Sequence, residues 1–141
     1  MTFETINSDS TCDCLSKAEI DTTNEYVRKL RKDNVEGKDF LTHWEREIRP
    51  ETESCEIICS YKGVSLNQFN PESEDQILEK YRTTFKINPK MGAYYLKFRL
   101  NEGAGKVKFA PEENDKSHHS LFKADDFSLD KIVIIETVKF A

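Results

Sequence analysis

Past Pro89 the spacing of apolar residues changes from about 3.6 to 2, and from Ala93 to Leu100 the residues Tyr94, Leu96, Phe98 and Leu100 alternate with Tyr95, Lys97 and Arg99. This alternation belongs to a strand with one buried and one polar face, so the C-terminal half is expected to build a sheet. The turn-forming run Asn101-Glu102-Gly103-Ala104-Gly105 leads into Lys106-Val107-Lys108-Phe109, which reads as the return arm of a β-hairpin ended by Pro111. Glu112 to Ser120 is polar and reads as a loop. Lys131 to Phe140 reads as a final strand, with its Ile132-Val133-Ile134-Ile135 core buried on both faces.

Before Pro89 the signals are helical. Ser16 and Glu19 have capping-box spacing, Ile20, Thr23, Val27 and Leu30 follow at helical intervals, and Arg28, Lys29, Arg31 and Lys32 place positive charge where it suits the C-terminal end of a helix dipole. Phe40, Trp44 and Ile48 are four apart, which predicts a second helix from about Asp39 to Arg49. Pro50 through Lys62, stopped by Gly63, predicts a third, although the Ile57-Ile58 pair also suits a strand. Asn70 as cap, Pro71 at the first helical position and the face Ile77, Leu78, Tyr81 and Phe85 predict a fourth, ending before Pro89. The expected class is α+β, a helical N-terminal half packed on a small, mainly antiparallel sheet formed by the C-terminal half. Residues 1–14 read as a loosely ordered lead-in and 15–141 as a single domain.

The 141 residues suit one domain, and 15 aromatics argue against general disorder despite 33% charged residues. No apolar run approaches the roughly 20 residues of a membrane-spanning helix. With Glu4 and Asp9 in the first ten residues and no basic or apolar segment there, no secretory leader is visible, and a reducing cytosol is expected.

Charge is sorted along the chain. From Lys80 to Lys108 eight Lys or Arg residues face a single acid, Glu102, within a protein of net charge −5. In the expected hairpin Tyr95, Lys97, Arg99, Lys106 and Lys108 share the face turned away from the core. Four cations beside one ring would pair with phosphates and stack a base, which points to a binding module for RNA, single-stranded nucleic acid or a phosphorylated ligand. The acidic remainder supports a different class, a protein-interaction, immunity or adaptor module meeting a basic partner. The plain alternative is a solvated sheet face whose lysines discourage edge-to-edge pairing.

No catalytic motif of high specificity is present, so whether the chain is an enzyme is left open. Adjacent imidazoles at His118 and His119, near the cations, suit general acid and base steps in phosphodiester cleavage, which would make a small ribonuclease or nucleotide-modifying enzyme. Arg46, three residues from His43, would bind a carboxylate or phosphate bidentately. Cys12, Cys14, Cys55 and Cys59 form two close pairs whose spacings, one and three intervening residues, differ from the usual zinc knuckle. Free thiols are the main expectation, with a zinc site or disulfides as alternatives and no other cofactor indicated.

Overall fold

A computed structural model, describing residues 1–8, 11–87 and 89–141, contains strands β1 (Tyr26–Leu30), β2 (Val64–Gln68), β3 (Tyr94–Leu100), β4 (Gly105–Phe109), β5 (His118–Lys123) and β6 (Ile132–Lys139). They form one sheet in the order β4-β5-β2-β1-β3-β6, and every neighbouring pair is antiparallel. The helices are α1 (Glu4–Asn7), α2 (Cys55–Lys62) and α3 (Glu74–Thr84), with 3-10 turns at Gly37–Phe40 and Leu129–Lys131.

The expected helical N-terminal half does not form. Where the first helix was expected, Asp21 accepts hydrogen bonds from the amides of Thr23 and Asn24 and from the Tyr26 hydroxyl, and the chain then enters β1. Asp, Thr and Asn favour such local turns over helix, and Tyr-Val suits a pleated surface, so side-chain chemistry overrides the apolar spacing. Glu19 forms an isolated bridge with Val107, and Lys17 lies at φ 65°, which a helix does not permit. A reciprocal capping box does occur at Thr42 and Glu45, but it closes one turn only, because Glu47 at φ 62° reverses the chain. Phe40 enters the core while Ile48, on the expected stripe, is exposed. The helix expected from Pro50 shortens to α2. The fourth becomes α3, delayed one turn because the Asn70 side chain accepts the Ser73 amide.

Nor is there a β3–β4 hairpin. β3 pairs with β1 and β6, while β4 pairs with β5 at the opposite edge. A connection of four residues, 101–104, reaches at most roughly 18 Å. Four strand spacings in a flat sheet would need roughly 19 Å, so the sheet must curl. It curls round one apolar cluster that holds Val107 of β4, Leu121 of β5, Leu66 of β2, Tyr26 of β1, Phe98 of β3 and Ile132 of β6. At the entry to β4, Gly105 at φ 143° passes so close to β5 that an added Cβ would lie 2.2 Å from the Phe122 carbonyl oxygen. The segment expected as a loop supplies β5 from His118 onward. β6 forms as expected, but at an edge, with Val133, Ile134 and Ile135 exposed and not buried on both faces.

On the other side of the sheet α3 lays Ile77 and Tyr81 over Val27 and Tyr95. The N-terminal segment is tied down twice. Disulfides Cys12–Cys55 and Cys14–Cys59 bind it to α2, and Ile6, Cys12, Cys14 and Phe122 make a small core there. Asp125, far along the chain, accepts the Glu4 and Thr5 amides and the Thr2 hydroxyl, acting as the cap that α1 lacks locally. Positions 9 and 10 of the expected lead-in lie outside the described residues. The free-thiol expectation is thus corrected, and the zinc reading of these cysteines fails with it, because all four sulfurs are spent in disulfides. No helix among the described residues is long and apolar enough to cross a membrane.

Candidate functional site

The sheet is open near its centre. β1 pairs with β3 along five positions but with β2 only at Tyr26–Gln68 and Val27–Asn67. Beyond Val27 the Arg28 side chain stands in for the missing ladder: its Nη1 donates to the Ser65 carbonyl oxygen at 2.7 Å and its Nε to that of Asp39 at 2.6 Å. Both partners are neutral carbonyls, which fix the plane of the guanidinium without neutralising its charge.

A cleft of about 230 Å³ opens over this gap, and its lining includes Arg28, Lys29, Arg31, Lys38, Arg46 and Lys80 against a single acid, Asp39. Asp39 is buried, takes the Arg31 Nε at 2.9 Å and caps the 3-10 turn through the Glu36 amide at 2.7 Å. Lys80 is paired with Asp115. Among the described residues, no carboxylate forms an ion pair with Arg28, Lys29, Lys38 or Arg46. Burial pulls the Arg28 guanidinium below its ordinary range, with Tyr81 and Asp39 opposing the shift and Arg46 adding to it. Burial lowers Lys29 too, against the pull of Asp39. The Lys29 ammonium donates to its neighbour's carbonyl at 2.9 Å and lies 5.1 Å from the ring centre of Phe85, an exposed aromatic on the cleft wall. Four cations in a concavity, two of them disfavoured by desolvation, make a region of positive potential that an anion would relieve.

Of the residues singled out from sequence, Arg46 alone belongs to this cleft, where its Nη2 reaches the Lys38 carbonyl oxygen at 3.4 Å. His43 lies outside, its ring 5.1 Å from that of Tyr61. The basic-aromatic face is dismantled. Tyr95 is buried under α3, Lys97 pairs with Glu136 at 3.0 Å and covers the Phe69 ring, and Arg99 reaches Glu25 at 3.4 Å. Lys106 and Lys108 stand on β4, with three strands intervening, Lys106 beside the Phe3 ring. Arg28 and Lys29, expected at the end of a helix, stand instead on β1, and Lys80 stands on α3, so cleft-lining cations come from segments with no sequence motif in common. The signal in the sequence is the run Arg28-Lys29-x-Arg31-Lys32, which places cations on a strand and its exit.

His118 and His119 sit on β5, both buried, and face different neighbours. The His119 ring packs against Tyr26 and Phe109, and burial lowers its basicity against the hydrogen bond to the Ser117 carbonyl. His118 bridges the Ala110 carbonyl and the Ser65 hydroxyl. Beside it Asp115 receives Asn67 Nδ2 at 2.5 Å, and the Tyr81 hydroxyl donates to Asn67 Oδ1 at 3.1 Å. The two imidazoles do not converge on one open pocket. Comparison with known proteins gives no matching family model, and no curated protein and no solved structure that matches.

Proposed function

We propose that the protein is a binding module for a compact anionic ligand, one bearing a phosphate or sulfate group, held in the cleft between β1 and β2. The observation that carries this reading is Arg28: a half-buried guanidinium, oriented by two carbonyls, in no ion pair with a carboxylate among the described residues and joined by Lys29, Lys38 and Arg46. Its rigid fork suits oxyanions. The cleft is smaller than the roughly 300 Å³ at which pockets for drug-sized ligands begin, so it favours a small anion or an anionic group projecting from a larger molecule. An extended nucleic-acid strand is less well served, since Tyr95 is buried and the hairpin cations are dispersed. The setting that fits the two disulfides is an oxidising compartment in place of the reducing cytosol expected at first.

The test is calorimetric titration at low and high salt with inorganic phosphate, sulfate, a phosphomonoester and a single-stranded oligonucleotide. The expected result is salt-sensitive binding of the compact anions that falls by about tenfold or more in Arg46→Ala, as loss of a charged hydrogen bond implies. Absence of binding to every compact anion at low salt sinks the proposal. An oligonucleotide that binds far more tightly than its phosphomonoester transfers the reading to nucleic acid.

A further inference from the structure

We propose that Glu112, Asp115 and His118, completed by the carbonyl oxygen of Ala110, bind a divalent transition ion of the zinc class. This site does not depend on the anion cleft, which it adjoins through Asn67 and Lys80, both part of the cleft lining and both partners of Asp115. It is separate from the cysteines.

The β4–β5 connection builds it. Glu112 and Asp115 exchange backbone hydrogen bonds at 3.0 and 3.1 Å, and the Ala110 amide donates to the His118 carbonyl at 3.0 Å, so a spacing of three brings the side chains to one side of the turn. One ligand atom from each of the three lies within 4.8 Å of the others. His118 Nδ1 is 3.5 Å from Glu112 Oε1 and 2.8 Å from the Ala110 oxygen. Tetrahedral ligands about 2.0–2.1 Å from a zinc ion stand about 3.3 Å apart, so small side-chain rotations close the shell. Three oxygens and an imidazole suit this class, since imidazole selects zinc and its neighbours over calcium or magnesium.

The outer partners of a metal site are already in place. His118 Nε2 meets the Ser65 hydroxyl at 3.1 Å, and Asp115 is held by Asn67. The imidazole proton shared with Ala110 would move to Nε2, where the Ser65 oxygen accepts it, leaving the Nδ1 lone pair for the ion. Glu112 is exposed, and with His118 it lines an open groove of about 640 Å³, which gives the ion a path from solvent. Asp115 is almost fully buried yet carries a cation partner, Lys80. The ion would share or replace that ammonium at the carboxylate, so Lys80 is its competitor.

Zinc titration of the disulfide-intact protein by calorimetry, followed by the ring nitrogen shifts of the three histidines, tests this. One equivalent is expected to bind, moving the His118 resonances and leaving those of His43 in place. Glu112→Gln, at an exposed position that should not disturb folding, is expected to weaken zinc by at least about tenfold, the lower end of what loss of an outer partner alone brings. Lys80→Gln is expected to tighten it. Failure of the wild type to bind, equal affinity in Glu112→Gln, or no gain in Lys80→Gln each overturns the site.

Discussion

Asn67 pairs with Val27 in the last step of the β1–β2 ladder and Arg28 lies just past it, at the gap, and each secures polar groups that strand pairing leaves free. The ladder there is absent, so backbone and side-chain polar groups need other partners. Arg28 satisfies the Ser65 carbonyl, while Asn67 joins Asp115, Ser117 and Tyr81 in a buried network with no polar side-chain atom left unpaired among the described residues. Asn67→Leu removes one hydrogen-bond partner of the Asp115 carboxylate, which keeps Lys80, and leaves the Tyr81 hydroxyl only the Val27 carbonyl at 3.4 Å. It is expected to lower stability by about 1–3 kcal/mol, measured by urea unfolding, since a buried polar group that loses a hydrogen-bond partner costs that much. An apolar Leu that left stability unchanged would show the network to be dispensable.

Among the elements, α1 is four residues long and has no stability of its own. Its amides rest on Asp125, whose carboxyl is held at about 2, below its ordinary 3.8, by hydrogen bonds from Thr2, Thr5 and Glu4. The folded value is the lower one, so this contribution is full above pH 4 and is lost as pH falls from about 4 through 2. Amide exchange at Glu4 and Thr5 is expected to accelerate over that window, and Asp125→Asn to shift it. The same segment depends on α2 through disulfides that close 43- and 45-residue separations. Replacing all four cysteines by Ser is expected to cost about 2–4 kcal/mol, read from urea midpoints, whereas removing one bridge alone costs less, because the other still closes nearly the same loop.

For the whole molecule the two sheet edges differ. Glu19 covers β4 by pairing with Val107, whereas β6 presents Val133, Ile134 and Ile135 to solvent along an eight-residue edge. Such an edge invites pairing between copies, and a single charge there opposes it. Ile134→Lys is expected to reduce light scattering on heating at unchanged helix and strand content by circular dichroism. A higher scattering signal would contradict this account of the edge.

How much of this was legible depended on whether the determining contacts were local. The period-two pattern of 94–100 located β3 and a core face with Leu96, Phe98 and Leu100 buried, though Tyr95 on the expected polar face is buried as well, and the strand expected from Lys131 to Phe140 contains β6. α3, which starts one turn later than its cap residues predicted, and the end of α2 followed from acids, an apolar face and a stop glycine. Those features act over a few residues, so sequence by itself determined them. Strand order, by contrast, rests on pairing between distant segments. A turn sequence that reads as a hairpin is equally able to carry the chain across a curled sheet, and only burial of the common core selected the second course. That choice separated Lys97 and Arg99 from Lys106 and Lys108, joined Cys12 to Cys55 and Cys14 to Cys59, and set Arg28 beside Lys38, Arg46 and Lys80. Charge counted along the chain raised the expectation of an anionic partner, but the position of the cations in space was fixed by which strands paired, a long-range energy that no short window of residues contains.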